Sequence, residues 1–165
     1  MATTYQIDPA HSSARFSVNH MMFAKVYGVF KTMSGTFNYD PDKIDQSKVE
    51  VTIDASSIDT RDEQRDSHLR GVDFFNVEKF PNLTFKSRRF EQNGDELLVT
   101  GDLTIHGVKR LVTLKVTVPG KETKVLSGKT KIRRKDFGLT WHGLLEAAGI
   151  LVGDEISVTF DVTIH

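Results

Sequence analysis

The strongest constraint in this sequence is an alternation of apolar and polar residues that recurs along most of its length. In ISVTFDVTI, Ile156, Val158, Phe160, Val162 and Ile164 share one face, and Ser157, Thr159, Asp161 and Thr163 share the other. LVTLKVTV groups Val112, Leu114, Val116 and Val118 in the same way. LVTGDLTI groups Val99, Leu103 and Ile105, VEVTIDA groups Val49, Val51, Ile53 and Ala55, and Phe16, Val18 and His20 form a further set. A period of two belongs to a strand with one face on a core and the other in water. Weaker strand patterns cover Tyr5–Ile7, Val26–Phe30, Ser34–Tyr39, Leu83–Phe90, Val125–Arg133 and Phe137–Thr140. Turn signals such as QNGDE, IHGVK and VPGKET separate them.

With no internal repeat and no linker, the 165 residues read as one antiparallel domain. Antiparallel strands in such number close on themselves to remove their edges. The expected fold is therefore all-β, a single barrel of about eight strands or slightly more. A barrel of that size is either filled by side chains or holds one small ligand. Gly28, Gly35 and Gly101 fall inside strand patterns, where a glycine marks a bend or leaves room for a ligand.

One stretch is helical, RDEQRDSHLRG from Arg61 to Gly71. Thr60 as N-cap with Glu63 three residues on makes a capping box, and Gly71 ends the helix. VDFFNVEKFPNLTF follows, and its Val72, Phe74 and Phe75 need burial, for which a barrel mouth is the natural place. His106-Gly107 reads as a tight turn with Gly107 at positive φ.

Composition removes several function classes. Twenty-two basic residues balance 22 acidic ones, so nucleic-acid binding is not expected. The absence of cysteine excludes disulfides, thiolate metal sites and a cysteine nucleophile. His11, His20, His68, His106, His142 and His165 form no H-x-H or H-x-x-x-H pair, so no metal site or cofactor is expected. No segment reaches the roughly 20 apolar residues of a membrane helix, so membrane insertion is not expected. The N-terminus, MATTYQIDPAHSS, has neither a basic nor an apolar stretch. It reads as cytoplasmic as it stands, and as periplasmic if a leader once preceded it.

Several blocks together carry a resemblance. They are IDPAHSSARFSVNH (Ile7–His20), KVYGVFKTMSGTF (Lys25–Phe37), DASSIDTRDEQRDSHLRGVDFFNVEKFPNLTF (Asp54–Phe85), GDLTIHGVKRLVTL (Gly101–Leu114) and DFGLTW (Asp136–Trp141). On these the chain resembles the YceI-like family almost from end to end. Tyr5 stands where many members carry Trp, and Met33 where the F-x-x-F-x-G pattern has an aromatic. The resemblance implies a lipocalin-like barrel that binds polyisoprenoid or related long-chain lipids without chemistry. Homodimers are common in the family and are a possible state here.

The candidate ligand-binding residues follow from the inward faces and this resemblance. From the N-terminal half they are Phe16, Val18, His20, Met22, Val26 and Phe30, then Val51 and Ile53. The aromatic loop and later strands add Phe74, Phe75, Phe85, Leu103, Phe137, Leu139 and Trp141. His20 is either a core histidine bonded to a neighbouring group or a contact for an uncharged head. Met21, Met22 and Phe23 are either an adaptable surface or a simple cover for the core. Arg61, Asp62, Arg65, Asp66 and His68 make the helix a polar lid for a charged head, or a solvated helix pinned to the barrel through Asp66 or His68.

The expected function is binding, storage or transport of a long isoprenoid lipid, such as a polyprenyl quinone or polyprenyl phosphate. A fatty acid or fatty amide is the alternative cargo. An enzyme is not expected, because there is no G-x-S-x-G elbow, metal-ligand pair or phosphate loop.

Overall fold

The alternating segments pair into one antiparallel sheet. The computed structural model describes residues 2–20, 24–117, 124–139 and 152–165, with His20, Ala24 and Val152 described by backbone alone. The strands are β1 (Thr3–Gln6), β2 (Ser13–His20), β3 (Ala24–Phe30), β4 (Met33–Tyr39), β5 (Lys48–Asp54) and β6 (Ile58–Asp59). After α1 (Glu63–Arg70) come β7 (Asn82–Asn93), β8 (Glu96–Ile105), β9 (Val108–Thr117), β10 (Val125–Arg133) and β11 (Val152–Thr163). Their order in the sheet is β1-β4-β5-β7-β8-β9-β10-β11-β2-β3-β6. Met21, Met22, Phe23, Val118 with the rest of VPGKET, Thr140, Trp141 and His142 lie outside the described residues.

The sheet curls until its β1 edge reaches the end of β11. Ile7, just past β1, bridges Ile164, just past β11. Gln6 N–H donates to the His165 carbonyl at 2.8 Å, and His165 N–H returns to that of Gln6 at 3.0 Å. This seam closes one end of a lipocalin-like barrel and removes an edge there. At the other end β3 pairs with β6 through two residue pairs only, Val29 with Asp59 and Phe30 with Ile58. There α1 and the aromatic loop cover the opening. Phe75 N–H donates to the Leu69 carbonyl at 3.0 Å, which folds the loop back on the helix.

Two strand glycines show why the sheet needs them. β7 carries a bulge between Ser87 and Arg89, opposite Gly101. A Cβ on Gly101 would stand 2.4 Å from the Lys86 carbonyl oxygen and 2.8 Å from the Phe85 ring. A Cβ on Gly28 would stand 2.2 Å from Phe16 Cζ. The missing side chains therefore make room for backbone and aromatic rings of the protein itself.

Three local expectations meet the structure with different results. The His106-Gly107 turn joins β8 to β9, and both residues have positive φ, 56° and 73°. That is the geometry of a two-residue hairpin whose twist matches its strands. The helix begins later than its pattern suggested, and its cap is Asp62, whose carboxylate accepts Arg65 N–H at 3.1 Å. Arg61, at φ 62°, turns the chain between Thr60 and the helix, so Thr60 is not the N-cap. Gly71 does end α1, its N–H donating to the His68 carbonyl at 3.1 Å.

The strand expected over Phe137–Thr140 is instead a 3-10 turn, Arg134–Phe137, closed by Gly138 at φ 69°. Leu139 N–H donates to the Arg134 carbonyl at 3.0 Å, which tightens that turn. Phe137 and Leu139 still point inward, each 1% exposed. A tight turn followed by a left-handed glycine buries alternate residues as a strand would.

Candidate functional site

Inside the barrel, beneath α1, lies a cavity of about 570 Å³. That is within the roughly 300–1,000 Å³ of ordinary small-molecule sites. Its wall is built strand by strand from the inward set. β2 gives Phe16 and Val18, β3 gives Val26 and Phe30, β5 gives Ile53, and β8 gives Leu103. Beside β2, β11 gives Ile156, Val158 and Phe160, with Ile156 paired to Val18 and Val158 to Phe16. An aromatic chain runs up one side to the mouth. Phe16 and Phe30 lie 5.6 Å apart, and Phe30 meets Phe75 edge-on at 5.7 Å. Phe75 meets Phe74 edge-on at 4.8 Å. Edge-to-face pairs add about 0.5–1.5 kcal/mol each beyond area burial, so the loop is held over the opening.

Much of the polar lining belongs to the mouth. Thr60, Asp62, Gln64, Arg65, His68 and Asp73 line it from α1 and its flanks. Arg65 is fixed in place. Its Nε–H donates to the Thr60 hydroxyl and its Nη2 to the Thr60 carbonyl, both at 2.8 Å. Asp66, 3% exposed, accepts the Thr60 N–H at 2.9 Å and also the Thr60 hydroxyl proton. The pin of the helix is thus Asp66, while His68 is exposed and lines the mouth. Two N–H bonds on Thr60 leave the rest of the Arg65 fork for an acceptor in the cavity. Arg15 also borders the cavity and pairs with Asp161 at 2.6 Å.

Beside the mouth, the Lys31 ammonium, 2.6 Å away, and the Arg61 N–H hold the Asp59 carboxyl below the usual aspartate range. Arg134 is the one buried cation lining the wall among the described residues, 7% exposed. It donates to the Gly153 carbonyl at 3.1 Å and that of Leu139 at 2.9 Å. These bonds tie the 3-10 turn to β11.

A second, smaller hollow of about 70 Å³ lies toward the closed end. Met33, Phe37, Val51, Phe85, Phe90 and Val99 line it together with residues of β9 to β11.

The structure sorts the sequence candidates as follows. Phe16, Val18, Val26, Phe30, Ile53, Phe74, Phe75, Leu103 and Leu139 line the large cavity. Val51 and Phe85 line the small hollow instead, one inward position further along their strands than Ile53 and Leu83. Phe137 borders neither hollow and is core. His20 has a described backbone only, within β2, and Met22 and Trp141 lie outside the described residues.

The candidate set missed Val158, Phe160, Leu83, Ile105 and Ile132, although each lies on an inward face of its strand pattern. It also missed Arg134. Counting by two from Ile132 lands on Arg134, so the alternation itself puts a charge on the inward face.

A family model described as the YceI-like domain matches residues 5–164. The protein called YceI from Salmonella newport is 40% identical over 149 residues, spanning 85% of this chain and 78% of its own. The crystal structure of BcnA from Burkholderia cenocepacia superposes with a TM-score of 0.84 at 29% identity, covering 96% of this chain and 99% of that one. The YCEI protein of Campylobacter jejuni gives a TM-score of 0.73 at 28% identity, with 89% of each chain covered. A structure from Saccharophagus degradans, described as a polyisoprenoid binding domain, shares the fold with a TM-score of 0.74 at 17% identity over 98% of this chain and 97% of that one. With the family model covering nearly the whole chain and a barrel that superposes on YceI structures, this protein belongs to the YceI-like domain family.

Proposed function

We propose that this protein binds a long-chain isoprenoid lipid, such as a polyprenyl quinone or polyprenyl phosphate, and stores or carries it unchanged. The observation that carries this reading is the cavity itself, about 570 Å³ with an aliphatic and aromatic wall and polar groups gathered at its mouth. Such a space matches a long apolar tail with one acceptor-bearing head. Burial of the tail supplies about 25 cal/mol per Å² of apolar surface, part of which offsets the cost of ordering it. The head would meet Arg65 and His68. The polyisoprenoid binding domain from Saccharophagus degradans, which has the same fold, is consistent with this reading.

The arrangement of the mouth favours binding over catalysis. Thr60 is the sole side-chain hydroxyl among the described cavity-lining residues. Its proton goes to Asp66 and its oxygen accepts from Arg65, so it is committed to structure.

The test is mass spectrometry of protein purified without detergent, under native conditions and again after organic extraction. The expected result is a stoichiometric isoprenoid of defined mass. A bare chain that also fails to take up added ubiquinone and prenols would overturn the reading. An extracted fatty acid or fatty amide would replace the cargo and keep the carrier.

A further inference from the structure

The two hollows are stacked along the barrel, and the strands show where one gives way to the other. On β5 the lining passes from Ile53 in the large cavity to Val51 in the small one. On β7 it passes from Leu83 to Phe85, and on β8 from Leu103 to Val99 across Gly101. On β11 Val158 faces the large cavity and Val162 the small one. Between them Phe160, alone among the described residues, lines both. Its cross-strand neighbours are Gly128 on β10 and Ala14 on β2. Both are small, so the ring has space at this level of the barrel. A Cβ on Gly128 would come no nearer than 3.5 Å to its surroundings, Val116 Cγ2, so that glycine serves volume and not backbone geometry.

We propose that Phe160 is the floor of the large cavity and sets the length of lipid tail the protein accepts. This rests on the lipid-binding reading above. A tail entering from the α1 end runs past Ile156 and Val158 and stops against the Phe160 ring. Beyond it lies an apolar hollow of about 70 Å³ that the ring keeps out of reach. Phe160 is thus a specificity-determining residue for tail length, with no part in holding the head.

The test uses the full chain and all-trans prenols of increasing length from geraniol upward, with binding read by displacement of N-phenylnaphthylamine. In the unmodified protein, affinity should rise with each isoprene unit and then fall, on the order of tenfold, at the first prenol too long for the cavity. Phe160→Leu, a conservative truncation, should move that fall to a longer prenol. Adding Gly128→Val to Phe160→Leu, which puts side-chain volume back beside the shortened residue, should restore the original limit. A limit that stays put in Phe160→Leu, or no limit in the unmodified protein, overturns the assignment while prenol binding itself stands. If no prenol binds at all, the isoprenoid cargo and this assignment fail together.

Discussion

The Asp66 carboxylate holds Thr60 twice, through the backbone N–H at 2.9 Å and through the hydroxyl. Thr60 in turn carries Arg65 on its hydroxyl and its carbonyl. Three residues from the strand end and the first turns of α1 thereby form one hydrogen-bonded unit at the cavity mouth, with Thr60 and Asp66 buried and Arg65 half-buried. Removing the carboxylate would leave the Thr60 N–H without its partner in a site closed to water. Asp66→Ala is expected to lower unfolding free energy by about 2–3 kcal/mol, read from urea midpoints. Glu50→Gln, which opens the exposed pair with Lys86 at 3.6 Å, serves as the contrast and should change stability by less than about 1 kcal/mol. Equal effects would mean that the unit is not buried as described.

The same unit aims Arg65 into the cavity, which gives a prediction about heads. A guanidinium recognises oxygen acceptors through paired N–H bonds, and such charge-assisted bonds are roughly twice as strong as neutral ones. Arg65→Ala is expected to weaken farnesyl diphosphate binding by on the order of tenfold and farnesol binding much less. Arg65→Lys should fall between, since it keeps the charge and loses the fork. Displacement titrations with both ligands check this. Equal losses for the two would assign Arg65 to holding the mouth together, with no role in the head.

How much of this was legible before the structure depends on the kind of signal. Strand faces were, because a period of two leaves each inward residue on the core whatever the sheet order. Val158 and Phe160 were therefore readable as cavity wall from ISVTFDVTI, and so was Arg134 from its spacing to Ile132. The helix start was not, because nothing in the side chain of Arg61 announces a positive φ, and that one turn moves the cap from Thr60 to Asp62. The segment from Phe137 misled for a related reason. Alternate burial is common to a strand and to a 3-10 turn closed by glycine, so the pattern alone did not separate them. The division of the interior into two hollows was also hidden. It depends on strand register, which places Phe160 beside Gly128 and Ala14.

Gly101 faces the β7 bulge with no space for a methyl group. The nearest atom to a Cβ there is a backbone oxygen at 2.4 Å, which cannot rotate away as a side chain would. Gly101→Ala is expected to cost about 1–3 kcal/mol by forcing β7 and β8 apart. Gly128→Ala, whose Cβ would make only ordinary van der Waals contacts from 3.5 Å outward, should stay within about 1 kcal/mol of the unmodified protein. Thermal midpoints of the two variants, measured side by side, check the difference. Equal midpoints would remove the bulge contact as the reason for Gly101.

Acid should weaken the fold beside the mouth at Asp59. The Lys31 ammonium and the Arg61 N–H favour its ionised form, so its folded pKa lies below the ordinary aspartate value. The folded protein then binds fewer protons than the unfolded chain in the window between the two values. The resulting stabilisation is fully present above the unfolded pKa and is lost as pH falls through the folded one. Asp8 behaves alike, its carboxyl held low by the hydrogen bond from His11. Both sites face water, so salt should screen the effect, the Debye length falling to about 3 Å at 1 M. Urea midpoints followed from neutral pH down through the aspartate range should decline, and Asp59→Asn should flatten part of that decline at low salt. High salt should bring the two curves together. A decline of the same slope in Asp59→Asn at low salt would place the acid sensitivity elsewhere in the barrel.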